Sequence, residues 1–588
     1  VVEGGGTLNL EDGSMLSGCT TMWDGVVLQE GARMNMDRAV IRDAMTGIEG
    51  TASSSFGSDA YAFVTNSRFI NNDVGVYTGD GTVSGVSIAG GNIFATEGGL
   101  KPPLSGQRGR KGIDNECDYM MVASVDPDMP ENRFINLNRG ISSVNSNLFI
   151  FGGEFSDLNQ GIRTSTSHHA TYVNPSRTHP VTFTDCLQGI LSIGENNLYV
   201  QGTTMSDVSR GMYIINATNT RSIIQNNNIT GDKGIDLRNC APTDPSNRIK
   251  NNNITIDWIR GTGIITYENN EGTSWNIEDN PSINVQNGRY GILLRSTSKS
   301  RVKNNVVLGD FTQRYQAGIA LSGGIGNVVE CNTISGLPSS GVYGNNIRLS
   351  GSSFNGIMCN STDLGSNGIN AWGVCTKTMI AGNQIGTHRH GVLYGSPSGN
   401  ANATVGIQKY TGNRWSGNYS GGIGAKYFGS ATNATESRYL VAGNIADNFT
   451  NAAPTIFVEN IPGGPGSEPF EGCPEVGCID SEAPLEGFVG VSELTHSIVN
   501  GNDLTPDFQD ATLWTGRRQL YKAVAETPVN EPQFASFMAA MQHQTVGQFY
   551  LVDRYIQQAL RLSESNKAQL DNIESVIESN TTAIIDIN

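Results

Sequence analysis

Chemically capable side chains in this 588-residue chain are sparse and scattered. Inverting glycoside hydrolysis needs two carboxylates about 6.5–9.5 Å apart. On neighbouring strands that need would read as Asp-Asp or Asn-x-Asp runs, and Asp-Asp does not occur. A lyase needs a Lys or Arg base beside an acidic calcium site, and no compact Asp/Glu cluster supplies one. Arg248-Ile249-Lys250 reads as a strand leading into the turn at 251–253. His168, His169 and His179 lie in a Thr/Ser/Pro-rich interruption and read as exposed loop residues. His388 and His390 alternate on a strand and could share a face, but two ligands do not make a metal site. The expectation is therefore no catalytic set, no metal ligands and no cofactor. Calcium stays open through the acidic composition alone, without a motif to hold it.

Two other residue types carry more. Cys473 and Cys478, in Cys-Pro-Glu-Val-Gly-Cys, are close enough in sequence for a local disulfide. Cys331 and Cys359 precede successive turns at nearly equal offsets and read as two packed thiols one repeat apart, with a bridge as the alternative. Tyr77, Tyr213 and Tyr343 stand two residues after a Gly-aliphatic mark; Tyr267 and Trp372 stand four after one. Counted from an inward aliphatic residue, these positions point outward. Outward aromatics on a flat sheet can stack on sugar rings or anchor a protein.

The element that positions them is a repeat. Gly followed by an aliphatic residue returns from 140–141 through 161–162, 189–190, 234–235, 263–264 and 291–292 to 422–423. An asparagine keeps step: Asn228, Asn253, Asn280, Asn305, Asn332, Asn360, Asn383, Asn413 and Asn444. A period in this range means stacked units, each unable to bury its apolar side alone. Each unit holds about three short β-type runs fenced by Gly, Asn, Asp and Ser. The predicted fold is an all-β solenoid: a right-handed parallel β-helix over 1–450, with a short α-helical C-terminal appendage. Asn suits the sharp corners, because it tolerates the left-handed backbone region. Stacked amides can also bond from coil to coil as a ladder.

The rhythm breaks at about 78–131, which reads as a long inserted loop, with Gly112-Ile113 as a place where the wall could resume. Residues 451–507, rich in Pro and Gly, read as a linker or cap. Residues 508–588 read as a helical hairpin or coiled-coil segment, since Val552, Ile556, Leu560, Leu570, Ile573 and Ile577 recur at three- and four-residue steps or their sums. The net charge of −17 makes nucleic acid a poor partner. No run of about 20 apolar residues exists to span a membrane.

Cys19-Thr20-Thr21-Met22-Trp23-Asp24-Gly25-Val26, with Ile41-Arg42-Asp43-Ala44 and Gly47-Ile48, resembles the opening of very large β-helix proteins exported by bacteria through type IX secretion. Cys331-Asn332-Thr333-Ile334 and Cys359-Asn360 resemble their later coils, and the Asn-Asn-x-Ile coils are shared across the pectin-lyase-like class. The resemblance implies a secreted or cell-surface protein and supplies no catalytic residues. Arg248-Ile249-Lys250 also resembles the Arg-Ile-Lys of polygalacturonases, without their Asp pair or Gly-His-Gly. The expected function is a non-catalytic structural or adhesive surface protein. Its expected partners are other surface or secretion-system proteins or extracellular polysaccharide, with oligomerisation through 508–588. The alternative is a polysaccharide-degrading lyase or glycoside hydrolase.

Overall fold

The computed structural model describes the chain to residue 461 apart from 51–60, 80–84, 118, 125–127, 166–168, 177, 195, 218–220, 241–246, 268–274, 312–315, 337–343, 396–402, 410, 430, 443–451 and 454. Beyond 461 it describes residues 521, 525, 538–542, 547, 548, 550 and 551. The chain divides into two units, Val1–Ile479 and Asp480–Asn588.

The first unit is a parallel β-solenoid. One wall stacks 15 strands, from Thr7–Leu10 to Met379–Ala381. A larger sheet folds through the other two walls, which are joined where Thr203–Ile215 and Asn228–Arg238 run from one into the next without a break. The inward residues fall into columns. In the first wall Ile224, Ile249, Ile277, Val302, Val329, Ile357 and Ile380 lie in register, all fully buried. In the wall that carries the Gly-aliphatic mark, called here the second, the column is Ile113, Ile141, Ile162, Ile190, Met212, Ile235, Ile264, Ile292, Ile319 and Ile347. Each buried aliphatic side chain contributes roughly 1.5–3 kcal/mol. A third column begins with Phe69, Phe94, Phe134, Phe155 and Phe183, their rings stacked 4.6–4.9 Å apart.

The glycine of the mark is a matter of clearance. A Cβ on Gly263 would sit 2.6 Å from the Gly291 carbonyl oxygen and 2.7 Å from Ile283 Cγ2, so the rungs leave room for hydrogen only.

The asparagines divide their work between adjacent positions. Asn226, Asn251 and Asn304 take the left-handed corner, with φ of 58°, 54° and 53°. The next residue is the ladder: Asn227, Asn252, Asn280, Asn305, Asn332, Asn360, Asn383 and Asn413 are buried, and each of the first seven amides donates to the Oδ1 of the next at 2.7–3.0 Å. The periodic Asn228 and Asn253 are thus one residue off the ladder and bond to each other on the exposed side (3.0 Å). Asn444 lies outside the described residues.

Three expectations change. The 78–131 stretch is not one loop but holds a coil: Gly85–Ile88 and Tyr119–Ala123 join the first wall, and Ile93–Ala95 and Gly109–Asn115 join the larger sheet. Val86, Phe94, Ile113 and Met120 supply inward residues there without the regular glycine spacing that marks other coils. The true excursion, between Ala95 and Gly109, is pinned down by Lys101, whose Nζ meets Asp43 Oδ2 (2.8 Å) and donates to the carbonyls of Gly18 (2.9 Å) and Cys19 (2.8 Å). Cys331 and Cys359, read as packed thiols, are both disulfide-bonded and stand in register on adjacent coils. Strands also continue past 450, to Val458–Ile461.

In the second unit the described residues are almost all helical, and Tyr521 meets Tyr550 edge-on at 5.6 Å. The coiled-coil seam after 551 and Cys473 and Cys478 lie outside the described residues.

Candidate functional site

Among the described residues the predicted aromatics point outward, but arginines cover Tyr213, Tyr267 and Trp372. Tyr213 lies between Arg210 (4.5 Å) and Arg238 (5.3 Å). Arg238 is itself held by both oxygens of buried Asp236 (3.0 and 3.1 Å). Arg295 covers Tyr267 at 4.9 Å, and Arg348 covers Trp372 at 4.5 Å. These are cation–π stacks, so the ring faces expected to meet a sugar already carry guanidinium groups. Tyr77 stands several coils away; its hydroxyl donates to Glu116 Oε2 (3.4 Å), and burial, then Glu116, pushes its pKa up. Register sets Tyr213 and Tyr267 two coils apart, with Asp236 and Arg238 on the coil between them, and leaves Tyr77 and Trp372 farther away. Tyr343 lies outside the described residues.

The larger outward aromatic feature is on the first wall, where no glycine mark exists to count from. Phe63, Met121, Phe149, Tyr172 and Tyr199 occupy one outer column, with Ser87 between the first two. Phe149 stacks on Tyr172 at 4.9 Å, and Tyr172 on Tyr199 at 4.4 Å, with the ring planes nearly parallel. Tyr61 and Tyr119 flank them in the next outer column. Tyr119, Tyr61 and Phe63 are 53%, 41% and 38% exposed, which places them among the most exposed large apolar residues of the described chain. The signal lay in the sequence: Leu148-Phe149-Ile150, Thr171-Tyr172-Val173 and Leu198-Tyr199-Val200 each set an outward aromatic between two inward residues.

A cavity of about 580 Å³ runs along a corner of the solenoid, lined by Asp157, Asp185, Asp207, Asp232, Asp257 and Arg108 among others. Arg108 is paired with Asp157 (3.2 Å), Ser209 donates to Asp232 (2.7 Å), and Asn287 donates to Asp257 (2.6 Å).

The residues whose types could serve catalysis hold structural partners. Lys250 pairs with Asp279 (2.9 Å). His388 and His390 do not share a face. His388 packs in the core beneath Gly368 with Nε2 3.2 Å from Thr362 Oγ1, while His390, after a register shift, stands in the outer column beside Asn367 Oδ1 (3.2 Å). Burial lowers both pKa values to about 4, so both rings are neutral at pH 7.

A family model described as periplasmic copper-binding protein (NosD) matches residues 115–280, under a third of the chain. No curated protein and no solved structure matches it. Copper favours thiolate, thioether and imidazole ligands. Within the matched stretch Cys117, Cys186 and Cys240 are buried and bonded to nearby oxygens, and Met205 and Met212 belong to the core. Burial pushes the Cys186 thiol up to about 11, so it keeps its proton at neutral pH. Among the described residues no group of three or more His, Cys, Asp or Glu is placed to hold a metal ion. These side chains do not fit a copper centre.

Proposed function

We propose that this chain is a non-catalytic, extracytoplasmic adhesive scaffold that binds surface proteins or extracellular polysaccharide through the outer face of its first wall. The observation that carries the reading is the aromatic column from Phe63 to Tyr199 with Tyr61 and Tyr119 beside it. Large aromatic patches left open on a rigid sheet mark interaction surfaces, and such rings supply much contact area at little entropic cost. Placement outside the cytoplasm is supported by the disulfide-bonded Cys331 and Cys359, since such bonds persist in oxidising compartments. The match to a family described as periplasmic points the same way. No helix among the described residues is long and apolar enough to cross a membrane. A passive role is supported by how Lys250, Asp236 and His388 are tied to structural partners.

The test is binding of labelled protein to intact cells and to their extracted surface polysaccharide. The variant Tyr119→Ser/Phe149→Ser/Tyr172→Ser keeps its inward columns, so its circular dichroism stays that of wild type while affinity falls at least tenfold. Equal binding by the variant, or an activity that shortens or unsaturates the polysaccharide, refutes the proposal.

A further inference from the structure

Ile325, Phe354, Val374 and Ile407 stand on one corner of the solenoid in successive coils, and each is at least 40% exposed. The corner joins second-wall strands Ala317–Ser322, Asn345–Ser350 and Asn367–Val374 to first-wall strands Val328–Glu330, Gly356–Met358 and Met379–Ala381. The apolar tips are neighbours. Ile325 is bridged to Ser353, whose hydroxyl donates to the Val374 carbonyl (3.4 Å). Val374 is in turn in register with Thr404, on the coil of Ile407. Two cations flank the row. Lys377 Nζ lies 5.0 Å over the Phe354 ring, and the Lys299 N–H donates to the Ile325 carbonyl (3.0 Å). Both lysines are exposed, and neither has an ion-pair partner among the described residues. The whole chain carries a net charge of −17, yet corner segments 296–300, 323–327, 351–355, 373–378 and 403–408 hold no Asp or Glu. Glu436, on the next coil, ends that run.

The backbone of this corner is strained for the residues it carries. Lys299, Phe354 and Lys377 take the left-handed position, with φ of 56°, 57° and 54°. Asn226, Asn251, Asp157 and Asp185 take it at other corners, and Gly326 takes it between Lys299 and Phe354. A bulky side chain in that conformation costs stability that Asn or Gly would spare. Exposed side chains offset little of this by packing, and a cation–π contact open to water is weak. Strain that the fold does not use is a mark of a functional position.

A bilayer fits the row better than a protein does. A specific protein interface buries roughly 800 Å² per partner, and a single line of side chains along a corner falls short of that. A lipid surface needs no matched shape. Apolar tips and flanking cations are what interfacial binding uses, since buried apolar area and attraction to anionic headgroups add. Acidic groups elsewhere on the chain are screened beyond about 8 Å at physiological salt.

We propose that this corner docks the solenoid onto a bilayer containing anionic lipid, with Ile325, Phe354, Val374 and Ile407 entering the headgroup region and Lys299 and Lys377 meeting its phosphates. The surface is separate from the aromatic column of the first wall and does not rest on the adhesive reading.

The test is cosedimentation of the full chain with vesicles of phosphatidylcholine mixed with phosphatidylglycerol, against vesicles of phosphatidylcholine alone. The chain binds the anionic vesicles more strongly, and added salt weakens the binding. Phe354→Asn/Lys377→Asn lowers the affinity at least tenfold. Without vesicles that variant melts at or above the wild-type temperature, because Asn suits the left-handed corner; residues kept for packing would lower it. Phe354→Trp keeps an apolar tip and binds as wild type does, and brominated lipid quenches its added emission. The variant Tyr119→Ser/Phe149→Ser/Tyr172→Ser also binds vesicles as wild type does. The proposal is overturned if anionic vesicles bind no better than neutral ones, or if the Asn variant binds undiminished or melts lower. It also falls if the first-wall variant loses vesicle binding, or if an oligoglutamate peptide binds more tightly than the vesicles, which would point to an acidic protein.

Discussion

Replacing Asn305 by Ala should cost far more than replacing its neighbour Asn304. Asn305 is fully buried. Its Nδ2 donates to the Ile277 carbonyl (2.9 Å), the Lys303 carbonyl (3.0 Å) and Asn332 Oδ1 (2.9 Å). Its Oδ1 accepts from the backbone N–H (3.2 Å) and the amide (2.7 Å) of Asn280. Alanine removes all of these at once. Asn280 Nδ2 keeps the Ile249 carbonyl (3.1 Å), and Asn332 Oδ1 keeps the Asn305 backbone N–H (2.9 Å). The Asn280 N–H and the Ile277 carbonyl lose these partners in a site closed to water. At about 1–3 kcal/mol for each orphaned group, and with a small cavity added, the loss is about 3–5 kcal/mol. Asn304 contributes its left-handed backbone (φ 53°) and a part-buried bond to Asp279 (3.1 Å). Asn304→Ala should cost about 1 kcal/mol. Urea unfolding followed by circular dichroism measures both, and hydrogen exchange at Asn280 reports the local opening. If the two substitutions agree within about 0.5 kcal/mol, the interior amide ladder is not what fixes the corners.

Three further outcomes follow from the same geometry. Gly263→Ala drives a Cβ against the backbone of the next rung and should destabilise by about 2 kcal/mol or more, read from the urea midpoint; an unchanged midpoint would show that the rungs can part. His388 stays neutral in the fold to about pH 4, against an ordinary 6.5. The unfolded chain therefore takes up a proton first, and stability, full above about 6.5, falls as pH drops toward 4, by about 3 kcal/mol from this residue; His388→Phe should flatten the dependence between pH 7 and 5. Thiol titration of unfolded protein should find Cys331 and Cys359 unreactive until reductant is added, and Cys331→Ser/Cys359→Ser should cost about 3 kcal/mol by loop-closure entropy, seen as a lower melting temperature.

The solenoid was legible because its inward column is written beside a glycine that the stacking makes obligatory, at 234–235, 263–264 and 291–292 alike. The corner was legible only to within one residue. Asn226-Asn227-Asn228 offers three identical side chains to three different jobs, and only coil-to-coil register separates the bent backbone, the buried ladder and the exposed pair. Counting from the glycine rightly placed Tyr213 and Tyr267 outward. It could not show Arg238 over Tyr213, because the two are neighbours only across a rung. The first-wall column escaped for a related reason: its strands carry no glycine mark, and the Phe149–Tyr172–Tyr199 stack is visible only once spacings of 23 and 27 residues are folded into single coils. The 78–131 coil was hidden by the excursion that Lys101 fastens.

Hydroxyl-radical footprinting of the protein free and bound to cells or to extracted surface polysaccharide puts the proposed adhesive face to the most direct test. Tyr119, Tyr172 and Tyr199 should be protected on binding, while Trp258, which is 56% exposed, stays as reactive as in the free protein. Unchanged labelling of the three tyrosines in the bound state would contradict the account.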